Sequence, residues 1–111
     1  MVDIPRPGRP VRGSKSGSPI MALFDLLGRR WSMGVLWTIN VEGPSTFRVL
    51  QEKCESISPS VLNARLAELK EAGLVISGER GYEATSLGID VYQALLPLSA
   101  VSKKWQEHLI K

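Results

Sequence analysis

The stretch from Ser58 to Gly73 constrains the fold more than any other part of the chain, because it carries the signals for both ends of a helix. Ser58-Pro59 has the form of an N-cap followed by proline in the first turn, and Gly73 supplies a C-terminal stop. The apolar residues between them recur at helical spacing: Val61, Leu62, Leu66 and Leu69. We therefore predict an amphipathic helix whose apolar stripe is buried against other elements.

Three shorter helical patterns precede this helix. They are predicted over residues 18–28, 29–42 and 45–54, each bounded by a capping residue, glycine or a tight connection. The third is capped by Ser45 or Thr46. Two short helices joined by a turn, the second of them well capped, are typical of a helix-turn-helix.

The residue pattern changes after Gly73. Val75-Ile76-Ser77 and Tyr82-Glu83-Ala84 are strand candidates on either side of a polar tip, which predicts a small hairpin, or wing. Thr85 or Ser86 then caps a long last helix, whose apolar residues recur at steps of three and four: Leu87, Val91, Leu95, Leu98, Val101, Trp105 and Leu109. The predicted fold class is mainly α with a small β-hairpin wing, a winged helix-turn-helix.

The 111 residues suffice for one core, and their composition of 43% hydrophobic and 23% charged residues is that of a soluble globular protein. The net charge of +3 lies in the N-terminus, since residues 1–17 hold four basic residues and one acidic residue and residues 18–111 are neutral overall. Residues 1–17 are also rich in Pro, Gly and Ser, so we predict a flexible basic arm there. Residues 18–111 are predicted to form the winged domain and its C-terminal dimerisation helix.

The sequence offers little for catalysis or metal binding. His108 is the only histidine and Cys54 the only cysteine, so neither a catalytic triad nor a typical zinc site can be assembled. A single cysteine excludes an intrachain disulfide and suits a reducing cytosol, and the acidic neighbours Glu52 and Glu55 favour an unreactive thiol. No stretch is long and apolar enough to span a bilayer. We expect a cytoplasmic protein that is not an enzyme and has neither a cofactor nor a membrane partner.

An ordered set of short motifs extends from residue 18 to about residue 109: Ser18-Pro19-Ile20 with Leu23, Asp25-Leu26-Leu27-Gly28, Arg30-Trp31, Glu42-Gly43-Pro44 with Phe47, Ile57-Ser58-Pro59 to Leu62, Arg65-Leu66 and Leu69, Glu71-Ala72-Gly73-Leu74-Val75, Tyr82, Thr85, Leu87-Gly88, and Leu95-Leu96-Pro97 with Trp105. With this set the chain resembles the HxlR-type winged helix-turn-helix transcriptional regulators of bacteria and archaea, relatives of the MarR regulators. The resemblance implies a homodimer that binds double-stranded DNA.

The chain departs from this family at two places. Ser18 stands where family members that sense electrophiles or oxidants have a cysteine, so the resemblance does not extend to thiol sensing by that route. The segment 75–84 is shorter than is usual in the family, which predicts reduced contacts by the wing.

The helix that begins at Ser58 has the two faces that a recognition helix in the major groove needs. Asn63 can pair with adenine through two hydrogen bonds, and Ser58 and Ser60 can bond phosphate or base edges. Arg65 lies at the border of the apolar stripe, where a phosphate contact and a structural ion pair, for instance with Glu68, are equal alternatives. Glu68 is otherwise interpreted as part of the solvated face of this helix.

Four other arginines are candidates for contacts with DNA. Arg29 and Arg30, at the start of the second helix, and Arg48, on the third, are placed as phosphate contacts. Arg80, at the tip of the wing, is placed to reach a narrow minor groove. The basic arm follows the DNA backbone or enters the minor groove, and a solvated tail is the alternative.

The last helix is too apolar for a solvent-exposed helix of a monomer this small. We predict a homodimer in which the first and last helices pack against their symmetry mates, with an interface that includes Leu95, Leu98, Val101, Trp105 and Leu109. Two recognition helices would then read a pseudo-palindromic operator. The alternative is that these residues cover the first two helices of their own chain.

The sequence thus predicts a sequence-specific transcriptional regulator, with repression by promoter occlusion favoured over activation. The rival hypothesis is a winged helix used only for protein association, which the neutral residues 18–111 permit. A small-molecule effector is left open. Trp31, Trp37 and Trp105 are interpreted as packing residues rather than as the lining of an effector pocket.

Overall fold

The computed structural model describes residues 2–110, and in this range the chain forms five helices and one antiparallel hairpin. The elements follow in the order α1 (Pro19–Leu27), α2 (Ser32–Glu42), α3 (Phe47–Lys53), α4 (Pro59–Glu71), β1 (Val75–Gly78), β2 (Gly81–Ala84) and α5 (Ser86–Leu109). This order confirms the predicted winged helix-turn-helix. Helices α3 and α4 form the helix-turn-helix, and β1 and β2 form the wing.

Hydroxyl groups fix the starts of three helices. Thr46, Ser58 and Thr85 are the N-caps of α3, α4 and α5, and their side chains accept hydrogen bonds from the first-turn N–H groups of Val49, Val61 and Gly88. Of the two predicted alternatives at α3 and at α5, the structure thus selects the threonine in each case.

Ser45 has a different role, because its backbone bonds to the wing. Its N–H donates to the carbonyl of Tyr82 at 3.0 Å, and its carbonyl accepts from the N–H of Tyr82 at 2.7 Å. Gly81, which precedes Tyr82, has φ +120°, and a Cβ at this residue would overlap the Ser45 carbonyl. Glycine is therefore required at this end of the two-residue turn, and the wing is fixed to the chain before α3.

Helix α2 lies at the centre of the domain and packs against each of the other four helices. The largest fully buried side chains come from α2, α3, α4 and β1: Leu36, Ile39, Leu50, Leu62, Leu66, Leu69, Val35 and Val75. Trp37 of α2 contacts Tyr92 of α5 edge to face, with 5.0 Å between ring centroids. Trp37 therefore packs between helices, as predicted.

The start of α2 differs slightly from the sequence prediction. Trp31 has a left-handed conformation with φ +75° and is the N-cap, so the helix itself begins at Ser32. Arg29 and Arg30 consequently belong to the connection between α1 and α2 and not to the helix. This connection lies beside α4.

Residues 2–17, predicted as a flexible arm, fold back onto the domain in the structure. Ile4 is only 7% exposed and joins the core cluster. Arg6 forms an ion pair of 2.8 Å with Glu71, the last residue of α4. A single isoleucine among prolines and glycines has no periodicity, so the sequence pattern gives no sign of its burial. The division of the chain at residue 17 stays a prediction.

Candidate nucleic-acid interface

Helix α4 has one buried face and one exposed polar face. Leu62, Leu66 and Leu69 are at most 1% exposed, and they hold the helix on the core. Ser60 and Asn63 are exposed on the other side, as is Ala64. The predicted division of this helix into two faces is confirmed. Side chains that are short and polar, on a helix held by its opposite face, are suited to close approach to base edges in a major groove.

Two of the predicted contact residues lie at the start of α4. The Ser58 hydroxyl accepts a hydrogen bond of 3.3 Å from the Val61 N–H, so it has a structural task as the N-cap. Its oxygen lies 3.4 Å from the hydroxyl oxygen of Ser60. Both residues remain exposed, and the Ser60 hydroxyl, unlike that of Ser58, does not cap the helix.

An ion-pair cluster occupies the flank of α4 that faces the α1–α2 connection. Glu68 is 8% exposed, and its two carboxylate oxygens accept from Arg29 at 2.7 Å and from Arg65 at 2.5 Å. Arg65 also donates from Nε to the carbonyl oxygen of Arg30 at 3.0 Å. Of the two alternatives for Arg65, the structure shows the ion pair with Glu68.

The interpretation of Glu68 as a solvated residue is wrong. It lies three residues after Arg65 on the flank of the helix, where the α1–α2 connection covers it. Two guanidinium groups offset the cost of burying its charge there. The i,i+3 spacing to Arg65 was readable in the sequence. The contact with Arg29 was not, because it depends on where the connection passes α4.

The structure brings together three of the eight predicted DNA-contact residues, Arg29, Arg30 and Arg65, at this cluster. Arg29 was predicted as a phosphate contact and here pairs with Glu68, with 30% of its side chain exposed. Arg30 is exposed, and its guanidinium lies 5.2 Å from the ring centroid of Trp31. This stacking orients Arg30 without using its N–H donors.

Arg48 and Arg80 lie apart from this cluster. Arg48 on α3 has an 88% exposed side chain and forms an i,i+4 pair of 3.5 Å with Glu52. Arg80 is exposed in the two-residue turn of the wing, and within residues 2–110 it forms no ion pair. The Arg48 side chain can reorient towards a ligand because a surface ion pair is worth little, and Arg80 has no ion pair within residues 2–110 to break.

The second half of α5 presents an exposed apolar stripe. Leu98, Val101, Trp105 and Leu109 are between 54% and 63% exposed, and residues 100–110 are exposed throughout. These four side chains therefore do not cover α1 and α2 of their own chain. Leu95 is half-buried. Ile20 and Phe24 on α1 are also exposed, at 54% and 48%.

A cavity of about 480 Å³ lies between the N-terminal segment, α1, the end of α4 and the start of α5. Its walls are mostly apolar, with the Arg6–Glu71 ion pair at the edge, and none of the three tryptophans lines it. Cys54 is 7% exposed and lies outside this cavity. No group of three or more His, Cys, Asp or Glu side chains suited to a metal ion occurs among residues 2–110.

Within the same described range, no helix combines the length and apolar character needed to cross a membrane.

Comparison with known proteins gives consistent matches. The chain is 27% identical over 101 residues to the HTH-type transcriptional regulator YybR of Bacillus subtilis, covering 85% of this chain and 77% of the relative. The structure of a possible HxlR family transcriptional factor from Thermoplasma volcanium superposes with a TM-score of 0.65 at 25% identity, covering 81% of this chain and 86% of that one. Quinone-bound YodB from B. subtilis gives a TM-score of 0.65 at 28% identity, covering 81% and 97%.

The family model for HxlR-like helix-turn-helix proteins matches residues 26–109, which include α2 to α5 and the wing. This is a family of transcriptional regulators and not of enzymes, and its helix-turn-helix implies DNA as the partner. The matched range contains the two-faced helix α4 and the arginine cluster beside it. The chain belongs to the HxlR-like helix-turn-helix family of transcriptional regulators.

Proposed function

We propose that this protein is a sequence-specific repressor that binds a pseudo-palindromic operator as a homodimer, in the cytoplasm and on the nucleoid, and occludes a promoter. The observation that carries the proposal is the exposed polar face of α4, held over a buried leucine stripe. A helix supported in this way can enter the major groove without rearranging the core.

The proposed contacts divide into base readout and phosphate anchoring. Asn63 reads an adenine through two hydrogen bonds, and Ser60 bonds to a base edge or a phosphate. Arg30 and Arg48 contact phosphates and Arg80 reaches into the minor groove; all three side chains are exposed, which leaves them accessible to DNA. Ser58, Arg29 and Arg65 contribute from positions that are also structural.

The homodimer proposal is supported by the stripe on α5. Apolar side chains as exposed as Val101 and Trp105 lose unfavourable contact with water when a second copy covers them. The exposed Ile20 and Phe24 of α1 extend the same kind of surface. A two-fold dimer would present two copies of α4 to half-sites about 34 Å apart, one turn of DNA.

Fluorescence anisotropy with promoter DNA from the protein's own gene neighbourhood tests the proposal directly. We expect saturable binding that prefers this DNA to a scrambled duplex and that weakens steeply as salt rises. Run-off transcription from the same promoter then distinguishes repression from activation. Weak binding that is equal for both duplexes and lost at modest salt contradicts the proposal and favours the winged helix as a protein-association module.

Asn63→Ala tests the base readout. We expect a loss of discrimination between operator and scrambled DNA of about fivefold to 150-fold, since one bidentate contact is worth roughly 1–3 kcal/mol. Gln93→Ala is the matched control, because Gln93 is an exposed amide on α5 and not on the α4 face that is proposed to contact DNA. Equal losses in the two variants would remove Asn63 from the recognition surface.

Analytical ultracentrifugation tests the dimer. We expect the wild-type chain to sediment as a dimer and Trp105→Ala to shift the equilibrium towards monomer, because large aromatic side chains dominate interface energetics. Lys104→Ala removes an exposed neighbour that is not part of the apolar stripe. A monomeric wild type, or equal dissociation of both variants, contradicts the proposed interface.

A further inference from the structure

We propose that Glu68 is a positioning residue for DNA binding, which holds the guanidinium groups of Arg29 and Arg65 as a paired contact for phosphate. This inference rests on the proposed function, since it assigns a task to a residue beside the α4 reading face. Glu68 would not touch DNA itself. It would act through the two arginines, which come from different parts of the chain.

The geometry of the cluster supports this role. The two carboxylate oxygens of Glu68 are used separately, Oε2 by Arg29 at 2.7 Å and Oε1 by Arg65 at 2.5 Å. The side chain of Glu68 is 11% exposed, whereas the side chains of Arg29 and Arg65 are 30% and 20% exposed. The carboxylate thus lies deeper than the two arginine side chains, each of which remains partly exposed to solvent.

Each arginine keeps donors for a further anion. A guanidinium has five N–H donors, and the hydrogen bonds to Glu68 use one from Arg29 and one from Arg65. Arg65 uses another on the carbonyl of Arg30, and Arg29 makes a longer contact of 3.4 Å with the carbonyl of Asp3. The two arginines outnumber the one carboxylate, so this local group carries a net positive charge.

The position of the cluster matches that of a phosphate contact. An α-helix with its side chains is about 10–12 Å across, close to the width of the major groove at about 12 Å. A helix that fills the groove therefore brings its flanks next to the two sugar-phosphate backbones. Glu68 and Arg65 lie on such a flank of α4, between the exposed face and the leucine stripe.

Without the carboxylate, two neighbouring guanidinium groups repel each other, and each regains rotamer freedom that DNA binding must then remove. The pair would cease to be preorganised even though its charge is intact. Adding a positive charge by removing an acid raises DNA affinity in general, so a loss of affinity after removing Glu68 would be the opposite of the simple charge effect.

The test is the salt dependence of operator binding by Glu68→Gln. We expect affinity to fall about tenfold at fixed salt and the slope of log K against log salt to become shallower by about two, one for each lost phosphate contact. Glu71→Gln is the matched control, because it makes the same charge change one turn further along α4, at the Arg6 pair. We expect its slope to equal that of wild type.

A purely structural role would lower the thermal midpoint of Glu68→Gln and leave the slope of the folded protein unchanged. An unchanged or steeper slope therefore overturns the inference, even if stability falls. If the wild-type protein instead shows no preference for operator DNA and no dependence of its DNA affinity on salt, the proposed function is overturned.

If circular dichroism shows that Glu68→Gln does not fold, Arg29→Gln keeps the Glu68–Arg65 pair within α4 and provides the second test. We expect its slope to be shallower by about one, because one phosphate contact is lost. An unchanged slope in Arg29→Gln removes that arginine from the contact and overturns the pairing.

Discussion

Helices α4 and α5 both have apolar side chains at helical spacing, yet their own chain fully buries the leucines of α4 and leaves those in the second half of α5 exposed. Leu62 and Leu66 are at most 1% exposed, whereas Leu98 and Val101 are 55% and 54% exposed. The first half of α5 packs on α2 and the wing, and beyond residue 99 the described helix is exposed on all sides.

The difference shows that apolar residues at helical spacing predict a helix face that packs against another surface. They do not predict whether that surface belongs to the same chain or to a second one. For α4 the partner is the core of the same chain, which leaves its opposite face exposed, and the proposed function assigns that face to DNA. For the second half of α5, no other part of residues 2–110 covers the stripe, so the homodimer proposal assigns it to a second copy. The two helices therefore predict different responses to the same kind of substitution.

The largest effect is expected from Leu66→Ala in α4. Removal of a fully buried leucine side chain should lower the free energy of unfolding by about 2–5 kcal/mol, because transfer free energy is lost and a cavity remains. Leu98→Ala in α5 is the matched control and should leave the stability of the monomer within about 0.5 kcal/mol. Urea denaturation at low protein concentration measures both.

Comparable losses in the free energy of unfolding for Leu66→Ala and Leu98→Ala, at concentrations where the chain is monomeric, would contradict the expected difference between α4 and α5. They would mean that α5 folds back onto its own domain and that its stripe is not available to a partner.

Gly88→Ala tests the junction at which α5 leaves the wing. A Cβ at this buried glycine would overlap the carbonyl of Leu74, which also accepts the Thr85 N–H at 3.1 Å. We expect a loss of about 1–3 kcal/mol from overpacking, larger than the gain in helix propensity. Gly34→Ala in α2, where the space is open, should instead stabilise by up to about 1 kcal/mol. If thermal denaturation showed that Gly88→Ala and Gly34→Ala change the free energy of unfolding in the same direction, Gly88 would not be required by the Leu74 carbonyl.

Most of the fold could be predicted because the residues that begin and end its helices and mark its turn lie at the ends of those elements in the sequence. The cap at Ser58 and the stop at Gly73 bound α4 to within two residues, and two flanking glycines mark the turn of the wing. These features depend on residues that are close in sequence. The exposed polar face of α4 followed from the same periodicity.

The remaining features depend on contacts distant in sequence. The burial of Glu68 requires Arg29, 39 residues away, and the contact of Arg6 with Glu71 spans 65 residues. Ile4 joins the core from a segment whose composition favours a flexible arm. Charge and periodicity read along the chain carry no information on which of these groups meet.

The smallest effects are expected at the two helix caps, where the comparison between α4 and α5 becomes quantitative. The Thr85 hydroxyl accepts from the Gly88 N–H at 3.0 Å and donates to the Gly73 carbonyl at 2.6 Å, whereas the exposed Ser58 hydroxyl caps α4 through one bond of 3.3 Å. Thr85→Ala should therefore cost about 1–2 kcal/mol and Ser58→Ala about 0.5–1 kcal/mol of stability. Thr85→Ser retains the hydroxyl and should recover most of the loss. A cost at Ser58 equal to that at Thr85 would mean that the second bond to Gly73 contributes nothing, and that α5 begins no more firmly than α4.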